Sequence, residues 1–160
     1  MAGTLEAADA LVALCRRAGL HVSVAESCTG GMAAAAITAV AGASDILDYG
    51  FVTYSNAAKT ALLGVPEAML EAYGAVSEEV ARAMAEGALR KAGADLSVAI
   101  TGIAGPGGGT AEKPVGLVYI AVATREKIHC ARHVFPGDRA QVRAASTAHA
   151  LAMLHDTACQ

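Results

Sequence analysis

A serine and a cysteine stand side by side in a Ser-Cys-Thr-Gly-Gly segment, at Ser27 and Cys28. An apolar run over residues 21–25 predicts a buried strand before it, and an alanine-rich run over residues 30–40 predicts a helix after it. A helix N-terminus offers free N–H groups and the positive end of the helix dipole, which can hold an oxyanion or a phosphate. The segment is therefore a candidate reaction or anion site. We favour Ser27 as its nucleophile, because an adjacent residue on a turn points elsewhere.

A lysine could activate this serine without a histidine. Lys59 follows Tyr54 by five residues across a predicted strand-to-helix junction. Burial disfavours the ammonium form, so a buried Lys59 could act as a base toward Ser27, while Tyr54 could orient the serine or relay a proton. These residues supply the parts for acyl transfer. Each also has a structural interpretation: Ser27 could cap a helix, Tyr54 could be a core ring with a solvated hydroxyl, and Lys59 could lie exposed on a helix.

Two further segments concern a ligand. The segment from Thr101 to Thr110 is rich in glycine, which implies unusual backbone angles or close approach to a ligand, although a flexible loop has the same composition. It matches neither the dinucleotide G-x-G-x-x-G pattern nor the P-loop, so a Rossmann cofactor or ATP is not indicated. Arg139 and Arg143, spaced i, i+4 at the start of a predicted helix, suit a phosphate, with surface ion pairs as the alternative. No metal or redox cofactor is required by this chemistry.

Helical and strand patterns alternate along the chain and predict how these residues are positioned. Thr4 is expected to cap a first helix, Ser77 a long central helix, and Asp138 the last helix, with a hairpin turning at residues 124–126. This order predicts an α/β fold, a three-layer α/β/α sandwich with a mixed, mostly parallel sheet of about five strands. Ligands of open α/β sheets collect beyond the carboxyl ends of the strands. Three segments leave strands there and should converge: Ser27 to Gly31, Tyr54 to Lys59 and Thr101 to Thr110.

Composition bounds the function classes. The chain has 160 residues, 54% of them hydrophobic, which suits a single domain over residues 1–160. A formal net charge of -3 with scattered arginines argues against a nucleic-acid partner. No apolar stretch is long enough for a membrane span and no signal peptide is recognisable, so we expect no membrane partner and a cytoplasmic protein. The four cysteines are expected to be reduced thiols, and the histidines lack the spacing of a metal site. An alanine-rich surface and a free hairpin edge favour a homo-oligomer.

Several motifs, in order along nearly the whole chain, resemble the CinA C-terminal domain family of PncC-type nicotinamide-nucleotide amidases. They are Ala-Glu-Ser-Cys-Thr-Gly-Gly at 25–31, Thr-Tyr-Ser-Asn at 53–56 with Lys59, Thr-Gly-Ile-Ala-Gly-Pro at 101–106 with Gly-Gly-Thr at 108–110, Lys-Pro-Val-Gly at 113–116, and Phe-Pro-Gly-Asp-Arg at 135–139. Several separate motifs in one order are more specific than any single glycine pattern.

The resemblance implies a mixed-sheet α/β/α fold and hydrolysis of the carboxamide of nicotinamide mononucleotide, giving nicotinate mononucleotide and ammonia. It assigns Ser27 as the nucleophile with Lys59 and Tyr54 as the activating pair. It also implies that the glycine-rich loop and Arg139 help to hold the nucleotide, and we add Arg143. The expected substrate-binding residues are Cys28, Thr29, Gly30, Gly31, Asn56, Thr101, Gly102, Gly105, Arg139 and Arg143.

Two other functions stay open at the level of sequence. One is a module that binds a nucleotide or a partner without catalysis, and the other is an amidase for another small phosphorylated amide. Phe51 and Ala57 stand where many relatives have a smaller or an acidic residue, which bears on substrate preference at the pocket rim. Some relatives carry an additional N-terminal domain with a different hydrolase activity, and we expect this chain to lack that second activity.

Overall fold

A computed structural model of the protein describes residues 2–160. Five strands are present in this range: β1 Val22–Glu26, β2 Leu47–Val52, β3 Leu96–Gly102, β4 Leu117–Thr124 and β5 Ile128–Val134. Six α-helices accompany them: α1 Ala2–Ala18, α2 Met32–Thr38, α3 Asn56–Leu63, α4 Glu67–Tyr73, α5 Glu78–Ala92 and α6 Arg139–Ala158. No helix within residues 2–160 has the length and apolar character needed to cross a membrane.

The strands form one mixed sheet in the order β2-β1-β3-β4-β5. β1 lies parallel to both β2 and β3, whereas β4 is antiparallel to its neighbours β3 and β5. Four of the five strands therefore run in the same direction, with β4 opposed. The prediction of an α/β fold with a mixed, mostly parallel five-stranded sheet is confirmed.

Side chains alternate across the sheet and divide the core into two layers. On one face, branched residues of the three central strands pack with α1, α2 and α6; they are Val24, Val98 and Ile120. On the other face, alanines of the same strands pack with α3, α4 and α5; they are Ala25, Ala99 and Ala121. Small side chains let α5 approach the sheet closely. Close approach recurs between helices, since a Cβ at Gly87 of α5 would overlap the Leu63 carbonyl of α3.

Local signals set several helix boundaries. The Ser77 side chain accepts the Val80 N–H at the start of α5, and Asp138 forms a capping box with Gln141 at the start of α6, as predicted. The first helix differs from the prediction, because it already includes Ala2 and Thr4 lies inside it rather than capping it.

The glycines of the Ser-Cys-Thr-Gly-Gly segment delay the next helix. Gly30 and Gly31 have φ values of +58° and +105°, which are left-handed angles that favour glycine. The helix predicted from Gly30 onward therefore begins only at Met32. Ser27 and Cys28 accordingly lie on an extended turn between β1 and α2, several residues before the helix.

Candidate active site

A cavity of about 220 Å³ opens at the carboxyl ends of β1 and β3, beside the segment that follows β2. The three segments predicted to converge meet here. The lining residues are Ser27, Cys28, Tyr54, Asn56, Lys59, Ala75, Val76, Thr101, Gly102, Ala104 and Arg139. Five residues expected at the site do not line this cavity: Thr29, Gly30, Gly31, Gly105 and Arg143.

The centre of the cavity is a serine–lysine pair. Lys59 Nζ lies 3.2 Å from Ser27 Oγ, although 32 residues separate the two in sequence. Ser27 is 9% exposed and Lys59 only 1% exposed. The helix-cap alternative for Ser27 does not apply, because the Gly30 N–H donates to the Ser27 backbone carbonyl. The exposed-helix alternative for Lys59 is likewise excluded by its burial.

The backbone around Lys59 explains its placement. The Ser55 hydroxyl caps α3 by accepting the Ala58 N–H, which starts the helix that carries Lys59 inward. The Thr53 N–H donates to the Glu26 carbonyl, so the segment after β2 stays beside the end of β1. These two contacts bring the lysine to the serine.

Three oxygen atoms surround the Lys59 amine and fix its orientation. Besides Ser27 Oγ, its Nζ lies 3.0 Å from the Thr53 carbonyl oxygen and 3.4 Å from the Tyr54 carbonyl oxygen. A carbonyl oxygen can only accept, so each of these two takes an N–H from Lys59. A neutral amine has two N–H donors and one lone pair. A neutral Lys59 that donates both N–H groups to the carbonyls therefore has its lone pair left for Ser27 Oγ.

Burial also favours that neutral form. It lowers the pKa of Lys59 below the ordinary value of 10.5, because the interior solvates an ammonium group less well than water does, and the nearby Cys28 thiol acts weakly in the other direction. Among the described residues, no acidic side chain lines the cavity to restore the charged state. Lys59 thus has the surroundings of a general base.

Cys28 has the opposite character. It is 6% exposed, and burial raises the pKa of its thiol to about 11. The thiolate is the nucleophilic form of cysteine, so this thiol is unreactive near neutral pH. Among the two adjacent candidates, the surroundings favour Ser27.

Tyr54 occupies a different place from the one its expected role suggests. Its backbone carbonyl lies beside Lys59, but its side chain is 62% exposed and its hydroxyl accepts a hydrogen bond from Arg139 at 3.2 Å. The core-ring alternative for Tyr54 does not apply at this exposure. Arg139 also donates to the Gly105 carbonyl at 3.0 Å, which ties the glycine-rich loop to the start of α6.

A buried glutamate occupies the helix N-terminus that was expected to bind an anion. Glu26 is fully buried, and its two carboxylate oxygens accept the N–H groups of Ala33 at 2.9 Å and Ala34 at 3.1 Å in the first turn of α2. The prediction that these N–H groups are free for a ligand is wrong. Sequence reasoning gave Glu26 no role, although an acidic residue at the end of a buried strand is a recognisable signal.

Arg143 holds the serine-bearing turn rather than lining the cavity. Its guanidinium donates to the carbonyls of Cys28 at 3.0 Å and Thr29 at 3.1 Å. Gly30 lies directly beneath, since a Cβ there would contact the same guanidinium. The turn is therefore fixed by Glu26 through α2 and by Arg143 from α6.

The remaining lining residues shape the cavity wall. Thr101 donates its hydroxyl to the Ala75 carbonyl at 2.8 Å, which joins β3 to the segment before α5. Gly102 lies where a Cβ would press on Val118 of β4, and Asn56 is exposed at the first turn of α3. Within residues 2–160, His, Cys, Asp and Glu side chains form no group of three that could hold a metal ion.

The family model of the CinA C-terminal domain matches residues 4–158, which is nearly the whole chain. The protein belongs to the CinA C-terminal domain family. The resemblance drawn from the motifs is thereby confirmed.

Curated CinA-like proteins share this region at high identity. The chain is 54% identical over 152 residues to a CinA-like protein of Anaeromyxobacter dehalogenans and 57% identical over 135 residues to one of Geobacter sp. (strain M21). These alignments cover 95% and 84% of the chain but only 37% and 33% of the relatives. The CinA domain described here thus spans about a third of the length of those proteins.

Solved CinA structures share the fold over at least nine tenths of their length. The competence/damage inducible protein CihA from Agrobacterium tumefaciens has a TM-score of 0.96 at 45% identity, covering 99% of this chain and 96% of that one. A competence-damaged protein (CinA) superfamily protein from Escherichia coli has a TM-score of 0.92 at 38% identity, covering 98% and 90%. The sheet order and layers described above are therefore those of CinA domains.

Proposed function

We propose that the protein is an amidohydrolase that converts the carboxamide of nicotinamide mononucleotide to nicotinate mononucleotide and ammonia. The observation that carries the proposal is the 3.2 Å contact of buried Lys59 Nζ with Ser27 Oγ, beside two carbonyl oxygens that can take both N–H groups of a neutral amine and so leave its lone pair for the serine. A buried serine with such a base is an activated nucleophile for acyl transfer. The family resemblance supplies the identity of the amide.

Acylation begins with the transfer of one proton. Neutral Lys59 takes the proton of Ser27 as Oγ bonds to the carboxamide carbon, and the carbonyl oxygen becomes an oxyanion. The carbon–nitrogen bond then breaks, and the Lys59 ammonium returns its proton to the departing nitrogen, which leaves as ammonia. A serine ester of nicotinate mononucleotide remains, and Lys59 is neutral again.

Deacylation repeats the same transfers with water. Lys59 takes a proton from water as its oxygen bonds to the ester carbon, and the bond to Ser27 Oγ then breaks. The proton on Lys59 passes to Ser27 Oγ, so nicotinate mononucleotide leaves and the pair is restored. A single base thus serves both halves of the reaction.

The backbone amide after the nucleophile is the candidate donor to the oxyanion. Within the described part of the chain, the Cys28 N–H donates to no backbone carbonyl, and Cys28 lines the cavity. One such donor contributes about 3 kcal/mol to stabilising a transition state. The amides of Ala33 and Ala34 are not available for this role, because Glu26 accepts both.

Arg139 is the group proposed to bind the phosphate of the nucleotide. It lines the cavity and contacts no carboxylate among the described residues, so its charge is not neutralised by the protein. A guanidinium matches the geometry of a phosphate and binds it in a bidentate manner. This placement favours a phosphorylated amide over a neutral one.

The decisive experiment measures ammonia release from nicotinamide mononucleotide by the purified protein and by Ser27→Ala, without added metal. Ser44→Ala, at an exposed position outside the cavity, is the matched control. Release by the parent and the control but not by Ser27→Ala is the expected result. No release from any of them, with the nucleotide bound in calorimetry, would replace the proposal with a binding module. Ammonia release from another phosphorylated amide, and not from nicotinamide mononucleotide, would keep the amidase and change its substrate.

A further inference from the structure

The exposed tyrosine of the site carries a contact that the proposed reaction does not use. The Tyr54 hydroxyl accepts a hydrogen bond from the Arg139 guanidinium across 85 residues of sequence, at the side of the cavity. Within residues 2–160, that hydroxyl makes no hydrogen bond to Ser27 or Lys59. The phenol is therefore held away from the reacting pair.

We propose that the phosphate of the substrate displaces the Tyr54 hydroxyl from Arg139 and so releases the phenol to the Ser27–Lys59 pair. The inference rests on the proposed function, because it takes the substrate to be a phosphorylated amide. Before the substrate binds, the Tyr54 hydroxyl occupies the position on Arg139 that the phosphate then takes. The site is complete only when the phosphate has bound and the phenol has reached the Ser27–Lys59 pair.

The exchange is favourable because the two acceptors differ in strength. A phenol oxygen is a neutral acceptor, whereas a phosphate carries negative charge and several acceptor oxygens, so its bond to the guanidinium adds the attraction of opposite charges and can be bidentate. Arg139 keeps its place during the exchange, because a different nitrogen of its guanidinium donates to the Gly105 carbonyl. The donor is thus preformed, and only its partner changes.

The released phenol has a short path to the reacting pair. The Tyr54 carbonyl already lies 3.4 Å from Lys59 Nζ, so the backbone of this residue is beside the base before any ligand binds. Rotation about the side-chain bonds moves the hydroxyl, and because the residue is 62% exposed, most of its surface turns in solvent. No rearrangement of the fold is needed.

The consequence is that phosphate contributes to turnover and not only to binding. A phosphate that merely anchored the substrate would lower KM and leave kcat unchanged. A phosphate that also releases Tyr54 raises kcat, because the phenol can relay the serine proton, giving its own proton to Lys59 Nζ as it takes the proton of Ser27 Oγ. A positioned proton-transfer group contributes about 10²-fold or more. Nicotinamide riboside, which lacks the phosphate, is therefore expected to show a kcat about 10²-fold lower.

The first experiment detects the exchange without any substrate. The protein contains four tyrosines, so labelling with 3-fluorotyrosine gives four fluorine resonances, of which the one absent from Tyr54→Phe is assigned to Tyr54. Inorganic phosphate is expected to shift this resonance in a saturable manner in the parent and in Arg132→Ala, an exposed arginine of β5 outside the cavity. The shift is expected to vanish in Arg139→Ala. Phosphate that leaves the Tyr54 resonance in place, or moves it equally in Arg139→Ala, would overturn the inference.

The second experiment links the exchange to turnover. Inorganic phosphate is expected to raise kcat for nicotinamide riboside at least tenfold in the parent and to have no such effect in Tyr54→Phe. An effect on KM alone would overturn the release of Tyr54. A shifted Tyr54 resonance in a protein that releases no ammonia from either amide would refute the proposed function and leave the exchange at Arg139 standing, so the two failures are distinguishable.

Discussion

Replacing Lys59 by methionine tests the base most directly. Methionine keeps a long, unbranched side chain at a position that is 1% exposed, and it removes the amine. Ser27 Oγ then lacks the lone pair 3.2 Å away, and the Thr53 carbonyl lacks its donor at 3.0 Å. We expect the Lys59→Met protein to fold and bind the nucleotide but to turn it over slowly.

The magnitude follows from what the amine supplies. A positioned general base contributes about 10²- to 10⁴-fold, which is about 2.7 to 5.4 kcal/mol at 1.36 kcal/mol for each factor of ten. Two opposing effects act on stability: a buried carbonyl that loses its partner costs about 1–3 kcal/mol, whereas removal of a buried amine relieves its desolvation. Because these effects offset each other, the loss should fall on kcat rather than on the free energy of unfolding.

The pH dependence provides the sharper signature. Only neutral Lys59 can accept the serine proton, so kcat/KM of the parent should rise with pH across the Lys59 pKa, which burial lowers from 10.5. Between that lowered pKa and 10.5 the unfolded state binds more protons than the native state, so stability should also rise with pH in this window. Both increases should be absent from Lys59→Met.

The assay is ammonia release as a function of pH, with thermal unfolding followed by circular dichroism over the same range. Lys91→Met, at an exposed lysine near the end of α5, is the matched control and should behave as the parent does. A Lys59→Met protein with a kcat within tenfold of the parent would refute the assignment of the base. So would a variant that keeps the ascending limb of the pH profile.

Four substitutions separate the other groups of the site. Cys28→Ala should retain activity within about threefold, since a thiol with a pKa of about 11 is not the nucleophile; a loss above tenfold in ammonia release would contradict this. Glu26→Gln should lower the free energy of unfolding by about 1–3 kcal/mol in urea denaturation, because one helix N–H then faces an amide NH₂, and unchanged stability would argue against the capping role. Arg143→Ala should lower kcat yet preserve the preference for nucleotide over riboside, because Arg143 holds the serine-bearing turn. Arg139→Ala should lose that preference. If both variants lost the preference, Arg143 would also be a phosphate ligand.

Local signals in the sequence predicted much of the fold. Ser77 and Asp138 cap their helices through contacts within three residues, and such short-range bonds can be read from neighbouring letters. The start of α2 was predicted too early because alanine-rich sequence continues from Gly31, while the left-handed angles at Gly30 and Gly31 interrupt the helix. Two successive glycines have low helix propensity, so this pair was a local signal for the later start.

The site was predictable in its chemistry and less so in its contacts. A serine after one strand and a lysine after another predicted their pairing from the topology of α/β sheets, and the structure brings Ser27 and Lys59 to 3.2 Å. The bond between Tyr54 and Arg139 was not predicted, because it joins residues 85 apart through side-chain rotamers that no periodicity encodes. Glu26 escaped notice for a related reason, since its partners appear only once the turn has folded back.

The distribution of charge in the site fits a ligand that carries both a cation and an anion. The Glu26 carboxylate accepts two N–H groups of α2, and within residues 2–160 the only cationic side chains that line the cavity are those of Lys59 and Arg139. Two charged groups would repel a pyridinium ring, but desolvation lowers the pKa of Lys59 and so favours its uncharged form. Arg139, the proposed phosphate ligand, keeps its charge. The lowered pKa that suits Lys59 to the proposed role of base thus also reduces its repulsion of a cationic ring beside it.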